Sequence, residues 1–249
     1  MILTRRNLLL TAGAALVTGC DTLGQNPTFR EVLKLGEKGN FAIQRSLQQR
    51  SALAREFDRT QISPIFRVNG THVPAGEAYA QHTAEKFVNW RLRVEGLVNR
   101  PLAISPAQLQ QMPKRTQITR HDCVEGWSAI GEWTGAPLKL LLDAAGLKPQ
   151  ARYLVFHCAD RMGTGEMYYE SIDLIDALHP QTILAWALNG QALSVGHGAP
   201  VRLRVERQLG YKHAKYVERI EAVADLSTIR GGKGGYWEDG SGYQWYAGI

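Results

Sequence analysis

Arg120-His121-Asp122-Cys123-Val124-Glu125-Gly126-Trp127-Ser128 runs on to Gly131-Glu132-Trp133-Thr134-Gly135. A lone cysteine stands where a strand predicted over 117–123 ends, and a glycine follows three residues later. Inert structural cysteines sit among apolar neighbours, whereas this one has charged and hydrogen-bonding ones. The thiolate is the form that ligates metal or attacks, and a cation at His121 or Arg120 would favour it. A buried, unreactive thiol is the alternative that the residues alone leave open.

Around this stretch the chain alternates short strands with short helices. Residues 90–97 alternate at period two. Ser105-Pro106 is an N-cap followed by a first-turn proline, so a short helix starts there. A helix over 137–145 is closed by Gly146, and 152–158 reads as a buried strand. Strands are expected over 183–188, 201–205 and 216–223, with Asn189-Gly190 as a turn. The tail, 231–249, is rich in glycine and aromatics and reads as irregular. Without regular strand–helix–strand spacing, the fold class is α+β rather than a doubly wound sheet.

The chain has 249 residues and a formal net charge of +6. Thr4-Arg5-Arg6-Asn7-Leu8-Leu9-Leu10 reads as a twin-arginine export signal. The apolar run over 8–17 is too short to span a bilayer, which takes ~20 residues. Leu16-Val17-Thr18-Gly19-Cys20 resembles a lipobox, so residues 1–19 are expected to be a signal peptide and Cys20 to carry a lipid anchor. Residues 20–60 are polar and read as a tether, with a helix possible over 43–57, and 61–249 as the ordered domain. Removal of 1–19 leaves 27 Lys+Arg against 23 Asp+Glu, a net charge of +4. That mild excess suits anionic lipid or a redox partner and gives no reason to expect nucleic acid. With Cys20 lipidated, only Cys123 and Cys158 remain, too few for a disulfide framework, an iron–sulfur cluster or a c-type haem site.

Three further segments carry chemistry. Gly196-His197-Gly198-Ala199-Pro200-Val201-Arg202 and Gly210-Tyr211-Lys212-His213-Ala214-Lys215 offer forked and ring N–H donors, an ammonium, and glycines that let backbone N–H groups approach an anion. Phe66-Arg67-Val68-Asn69-Gly70-Thr71-His72 holds a turn signal.

Cys-Val-Glu-Gly-Trp-Ser, then Trp-Thr-Gly-x-Pro-Leu, and the downstream His-Gly-x-Pro-x-Arg together resemble the catalytic domain of the sulfite oxidase family. The likeness is greatest to periplasmic methionine sulfoxide reductase catalytic subunits, and it covers roughly 61–249. It implies a compact mixed α+β molybdopterin-binding fold and a Mo-molybdopterin cofactor, with Cys123 as the protein ligand of the metal. It further implies that Asn69, His72, Cys158, His197, Arg202, Lys212, His213 and Lys215 contact the cofactor, and that Tyr243 stands at the active site as a proton donor. Cys158 is equally readable as a core thiol. Vertebrate sulfite oxidases have an anion-binding arginine shortly after the cysteine, whereas here the loop reads Val124-Glu125-Gly126-Trp127-Ser128, and Glu125 would repel a dianion, so sulfite is disfavoured by charge.

The expected function is oxygen-atom transfer to or from a small oxo donor or acceptor, with sulfoxide or N-oxide reduction favoured. Electrons would come through a separate partner, a membrane haem protein or a quinone-linked one. The expected place is the periplasmic side of the bacterial inner membrane, and the expected state is a monomer. The alternative is a non-catalytic lipoprotein that binds an anion or a protein. A zinc site from His121, Cys123, His157 and Cys158 lacks the usual paired spacings.

Overall fold

The computed structural model describes residues 25–249, apart from Gln48, Thr164 and the side chain of Lys34. The twin-arginine signal and the lipobox lie outside the described residues. The chain divides into two compact units, Met1–Gln49 and Arg50–Ile249. In the first, helix α1 spans Pro27–Leu47. It begins earlier than expected because Asn26 caps it, its Oδ1 accepting from the backbone N–H of Thr28 (2.9 Å) and Phe29 (3.2 Å). Among the described residues no helix is long and apolar enough to cross a membrane.

The second unit starts eleven residues before the expected boundary. Residues 50–60 are not a tether, because their backbone is paired. Glu56 bridges Thr119, Phe57 N–H donates to Ile118 O (2.9 Å), and the Gln181 amide donates to Ala54 O (3.0 Å). Orphan backbone groups on an edge strand recruit such a segment.

Two five-stranded sheets share one core. The first has the order β2-β1-β10-β5-β6, from β1 (Leu92–Gly96), β2 (Leu102–Ile104), β5 (Tyr153–Arg161), β6 (Met167–Asp173) and β10 (Val217–Val223). Among the described residues only β1 and β10 pair in parallel. The second joins β3 (Arg115–Asp122), β4 (Ser128–Pro137), β7 (Ile183–Leu188) and β8 (Gln191–Ala192), and β9 (Arg202–Arg204) also pairs with β7. Leu92, Phe156 and Ile220 of the first sheet pack with Leu184 and Leu203 of the second. Over Leu138–Ala145, Leu138, Leu141, Leu142 and Ala145 repeat at helical spacing and bury one face, and Gly146 closes the helix at φ 68°.

The α+β reading holds, but β4 and β6 were not foreseen as strands. Gly131, Gly135 and Pro137 break the alternation of β4. A Cβ at Gly135 would stand 2.3 Å from Leu184 O, so the glycine permits the close approach of β7. Glu170 hides β6, since a buried charge reads as a loop. Gly96 ends β1 at φ +84°, and a Cβ there would lie 2.4 Å from Ala222 O, the acceptor of Leu97 N–H. Gly96→Ala is therefore expected to cost about 3 kcal/mol of folding free energy, which urea denaturation would read as a lower midpoint with an unchanged slope.

Candidate active site

Five segments converge on one cleft. The β3–β4 turn brings Cys123, Val124 and Glu125, and the loop before the first sheet brings Asn69, Gly70 and Thr71. The β5–β6 hairpin brings Asp160, Met162 and Tyr168. The segment after β9 brings Gly210, Tyr211, His213 and Lys215, and the tail brings Trp237 and Tyr243. The cleft is open to solvent on one side and has a cavity volume of about 120 Å³.

Cys123 stands in a five-residue hairpin turn. Its N–H donates to Trp127 O (2.9 Å), its carbonyl accepts from Gly126 N–H (3.0 Å), and Gly126 takes φ +85°. The side chain is half-buried and forms no disulfide. Contrary to the sequence expectation, no cation activates it. Burial pushes the Cys123 thiol up, and the Glu125 carboxylate adds to this. Arg120 is exposed and pairs with Asp122 (2.9 Å). His121 is buried, and its pKa is held well below the usual value by burial and by Arg204. The proton must leave when a metal binds, as thiolate ligation requires.

The inward face of β3 is polar, with Gln117, Thr119 and His121 all about 1% exposed. Arg204 Nη1 donates to His121 Nδ1 (2.9 Å), which leaves the N–H on Nε2, buried and without a partner. A Cβ at Gly210 would stand 2.5 Å from that nitrogen.

Lys215 is the hub of the basic side. Its ammonium donates to Asn69 O (2.7 Å), Thr71 O (2.5 Å) and Gly196 O (2.9 Å), so it ties two loops to the cleft. Burial and the Arg202 guanidinium push it down to about 7. Arg202 is 0% exposed, donates to His197 O (3.1 Å) and His213 O (3.2 Å), and leaves Nε unpartnered. His213 donates through Nε2 to Gln208 O (3.0 Å), and its Nδ1 is buried and unpartnered.

Thus Cys123, Asn69, His213, Lys215 and Tyr243 meet in the cleft. The other five candidates do not line it. His197 props the Asn69 loop, with Nε2 donating to Phe66 O (3.0 Å) and Nδ1 accepting from Ser194 Oγ (2.8 Å). Arg202 lies behind Lys215. His72 is exposed. Cys158 is a core thiol, 2% exposed and packed in the main cluster, as its place in a buried strand allows. Lys212 points away from the cleft and into two buried carboxylates, Glu170 (2.5 Å) and Glu238 (2.6 Å).

Tyr211, Trp237, Met162 and Asp160 went unforeseen. Asp160 has a signal in retrospect, a carboxylate at the end of an apolar strand. It is 3% exposed with Oδ1 unpartnered. Burial pushes its carboxyl up to about 6, against the Thr71 hydroxyl and Lys215. The folded protein therefore keeps a proton that the unfolded chain, at 3.8, has lost. Asp160 stabilises most below pH ~4, and that contribution fades as pH rises through ~6, by about 3 kcal/mol in all. The stability difference between cofactor-free wild type and Asp160→Asn should move by that amount between pH 4 and pH 7; a pH-independent difference would contradict it.

The donor set fits an anionic, sulfur-bearing organic cofactor. The Lys215 ammonium and His213 line the cleft with the Cys123 thiol, and His121 Nε2–H, beside the cleft residue Gly210, and Arg202 Nε–H are buried donors without a partner. Among the described residues no group of three His, Cys, Asp or Glu is placed to hold a metal ion.

Fold and site define an oxidoreductase domain that binds a molybdenum–pterin. The chain belongs to the oxidoreductase molybdopterin-binding domain family, whose model matches residues 79–228. It is a molybdopterin-dependent oxidoreductase, and its cofactor is Mo-molybdopterin. The chain is 36% identical over 95% of its length to the putative protein-methionine-sulfoxide reductase subunit YedZ1 of Azospira oryzae, of which it covers 83%. It is 35% identical over 54% of its length to the protein-methionine-sulfoxide reductase catalytic subunit MsrP of Gluconobacter oxydans, and 36% over 54% to that of Ralstonia nicotianae. It spans less than half of those two relatives, 47% and 44%. Among solved structures, sulfane dehydrogenase SoxCD from Paracoccus pantotrophus aligns with TM-score 0.50 at 27% identity, covering 55% of this chain and 39% of that one.

Proposed function

We propose that the protein reduces a sulfoxide, with methionine sulfoxide in polypeptides as the substrate class, at the periplasmic face of the inner membrane. The observation that carries this is the Cys123 thiol in a cleft whose other wall is apolar and aromatic: Met162, Tyr211, Trp237 and Tyr243. Such a wall suits a neutral, thioether-like group, and Glu125 disfavours an anion such as sulfite. The names of the relatives point the same way.

When bound, the cofactor supplies a metal that takes an oxygen atom and cycles between Mo(VI) and Mo(IV). Cys123 would hold that metal. Lys215 would set positive charge at the anionic end of the cofactor, with His213 lining the cleft beside it, Arg202 behind and His197 bracing the Asn69 loop. Net reduction of a sulfoxide to a sulfide consumes two electrons and two protons and releases water. Tyr243 and Asp160 are the cleft groups able to hand on those protons. The electrons would enter from a separate membrane redox partner. The Cys20 lipid anchor, after twin-arginine export of the loaded protein, would keep the enzyme beside it.

Purified holoprotein with a reduced dye should turn over peptidyl methionine sulfoxide faster than N-oxides or nitrate, with no sulfite oxidation. Turnover of sulfite in preference to all sulfoxides would reject the reading.

A further inference from the structure

Lys212, Glu170 and Glu238 form a buried ionic triad, with side chains 0%, 0% and 1% exposed. Two carboxylates and one ammonium out of water are costly, and packed apolar residues would stabilise the fold as well. The position of the triad suggests what it does. Each member neighbours an aromatic of the cleft: Lys212 follows Tyr211, Glu238 follows Trp237, and Glu170 lies two residues past Tyr168. The triad therefore joins three chain segments behind that wall: the turn Gly210–Lys212, strand β6 and the short helix Tyr236–Ser241.

The wall itself is linked. Trp237 stacks on Tyr243 (5.6 Å, 23°), Tyr243 meets Tyr211 edge-on (5.1 Å), and Tyr168 Oη donates to Tyr211 O (2.6 Å). The chain threads tightly past the carboxylates: a Cβ at Gly235 would lie 2.0 Å from Glu238 Oε2 and 2.7 Å from Glu170 Oε1. The helix that carries Trp237 has six residues, too short to hold its shape without tertiary support.

We propose that Lys212, Glu170 and Glu238 are positioning residues of the substrate wall, fixing Tyr211, Trp237 and Tyr243 in the cleft and so setting affinity for the sulfoxide-bearing side chain. This rests on the sulfoxide reading above.

The test uses Glu238→Gln, which keeps size and removes charge. The holoprotein variant should keep wild-type molybdenum content. Its KM for a methionine-sulfoxide peptide should rise about tenfold, with kcat moving less than KM, and amide hydrogen exchange over 234–243 should quicken. In a Trp237→Ala background the same change should add no further rise in KM, since the effect passes through that ring. A lowered melting temperature with unchanged KM, or a full additional KM rise in the Trp237→Ala background, would overturn the proposal. If the wild type reduces no sulfoxide, the sulfoxide reading fails by itself. Exchange over 234–243 then judges the triad, and exchange as slow in Glu238→Gln as in wild type overturns it.

Discussion

Cys123→Ser should yield a folded protein with little or no molybdenum and with oxygen-transfer activity down by more than ~100-fold. Even changes to groups that merely support a metal ligand cost about 10–100-fold, and this one removes the ligand. A serine hydroxyl is a hard, weakly acidic donor and a poor substitute for thiolate at a soft centre. The fold should survive, because Cys123 lies half-buried in a surface turn held by backbone bonds to Trp127 and Gly126. The melting temperature of the cofactor-free variant should match that of cofactor-free wild type. Retained metal and activity would place the ligand elsewhere. A collapsed fold would mean that the thiol serves packing.

Lys215→Met should cause the largest loss of stability among the cleft variants. The apolar stem is kept, but the ammonium that serves three backbone carbonyls, Asn69, Thr71 and Gly196, is gone. Thr71 O keeps the Tyr216 hydroxyl (2.8 Å), whereas Asn69 O and Gly196 O lose their donor; at about 1–3 kcal/mol each the sum is about 2–6 kcal/mol, a large share of a typical 5–15 kcal/mol. For a domain of this size that lowers the melting temperature by about 10 °C. Molybdenum per folded chain should fall as well, since both loops on the basic side lose their tie. Lys215→Arg should retain part of both. A melting temperature within ~2 °C of wild type would refute the role assigned to Lys215.

The fold was legible where local chemistry acts alone. Ser105 caps its helix with Gln108 answering, and Gly146 closes another. Asn189-Gly190 turns β7 into β8. It was illegible where tertiary pairing overrides pattern. β4 is buried on both faces and interrupted by glycines, and β6 carries Glu170, whose partner Lys212 lies 42 positions on in sequence. Of the candidates, Cys123, Asn69, His213, Lys215 and Tyr243 line the cleft, and the family resemblance singles them out in the sequence. Lys212 shows the limit. Sequence places it one residue from His213, yet the turn at Gly210–Lys212 directs its ammonium away from the cleft. Asp160 and Trp237 entered the cleft unannounced, because neither side chain signals from sequence which face of its element looks inward.

The central claim is that Cys123 is the protein ligand of the molybdenum. X-ray absorption at the molybdenum edge of the holoprotein counts the sulfur neighbours directly. Three are expected in the wild type, two from the cofactor and one from Cys123. Two sulfurs in the wild-type protein would contradict it.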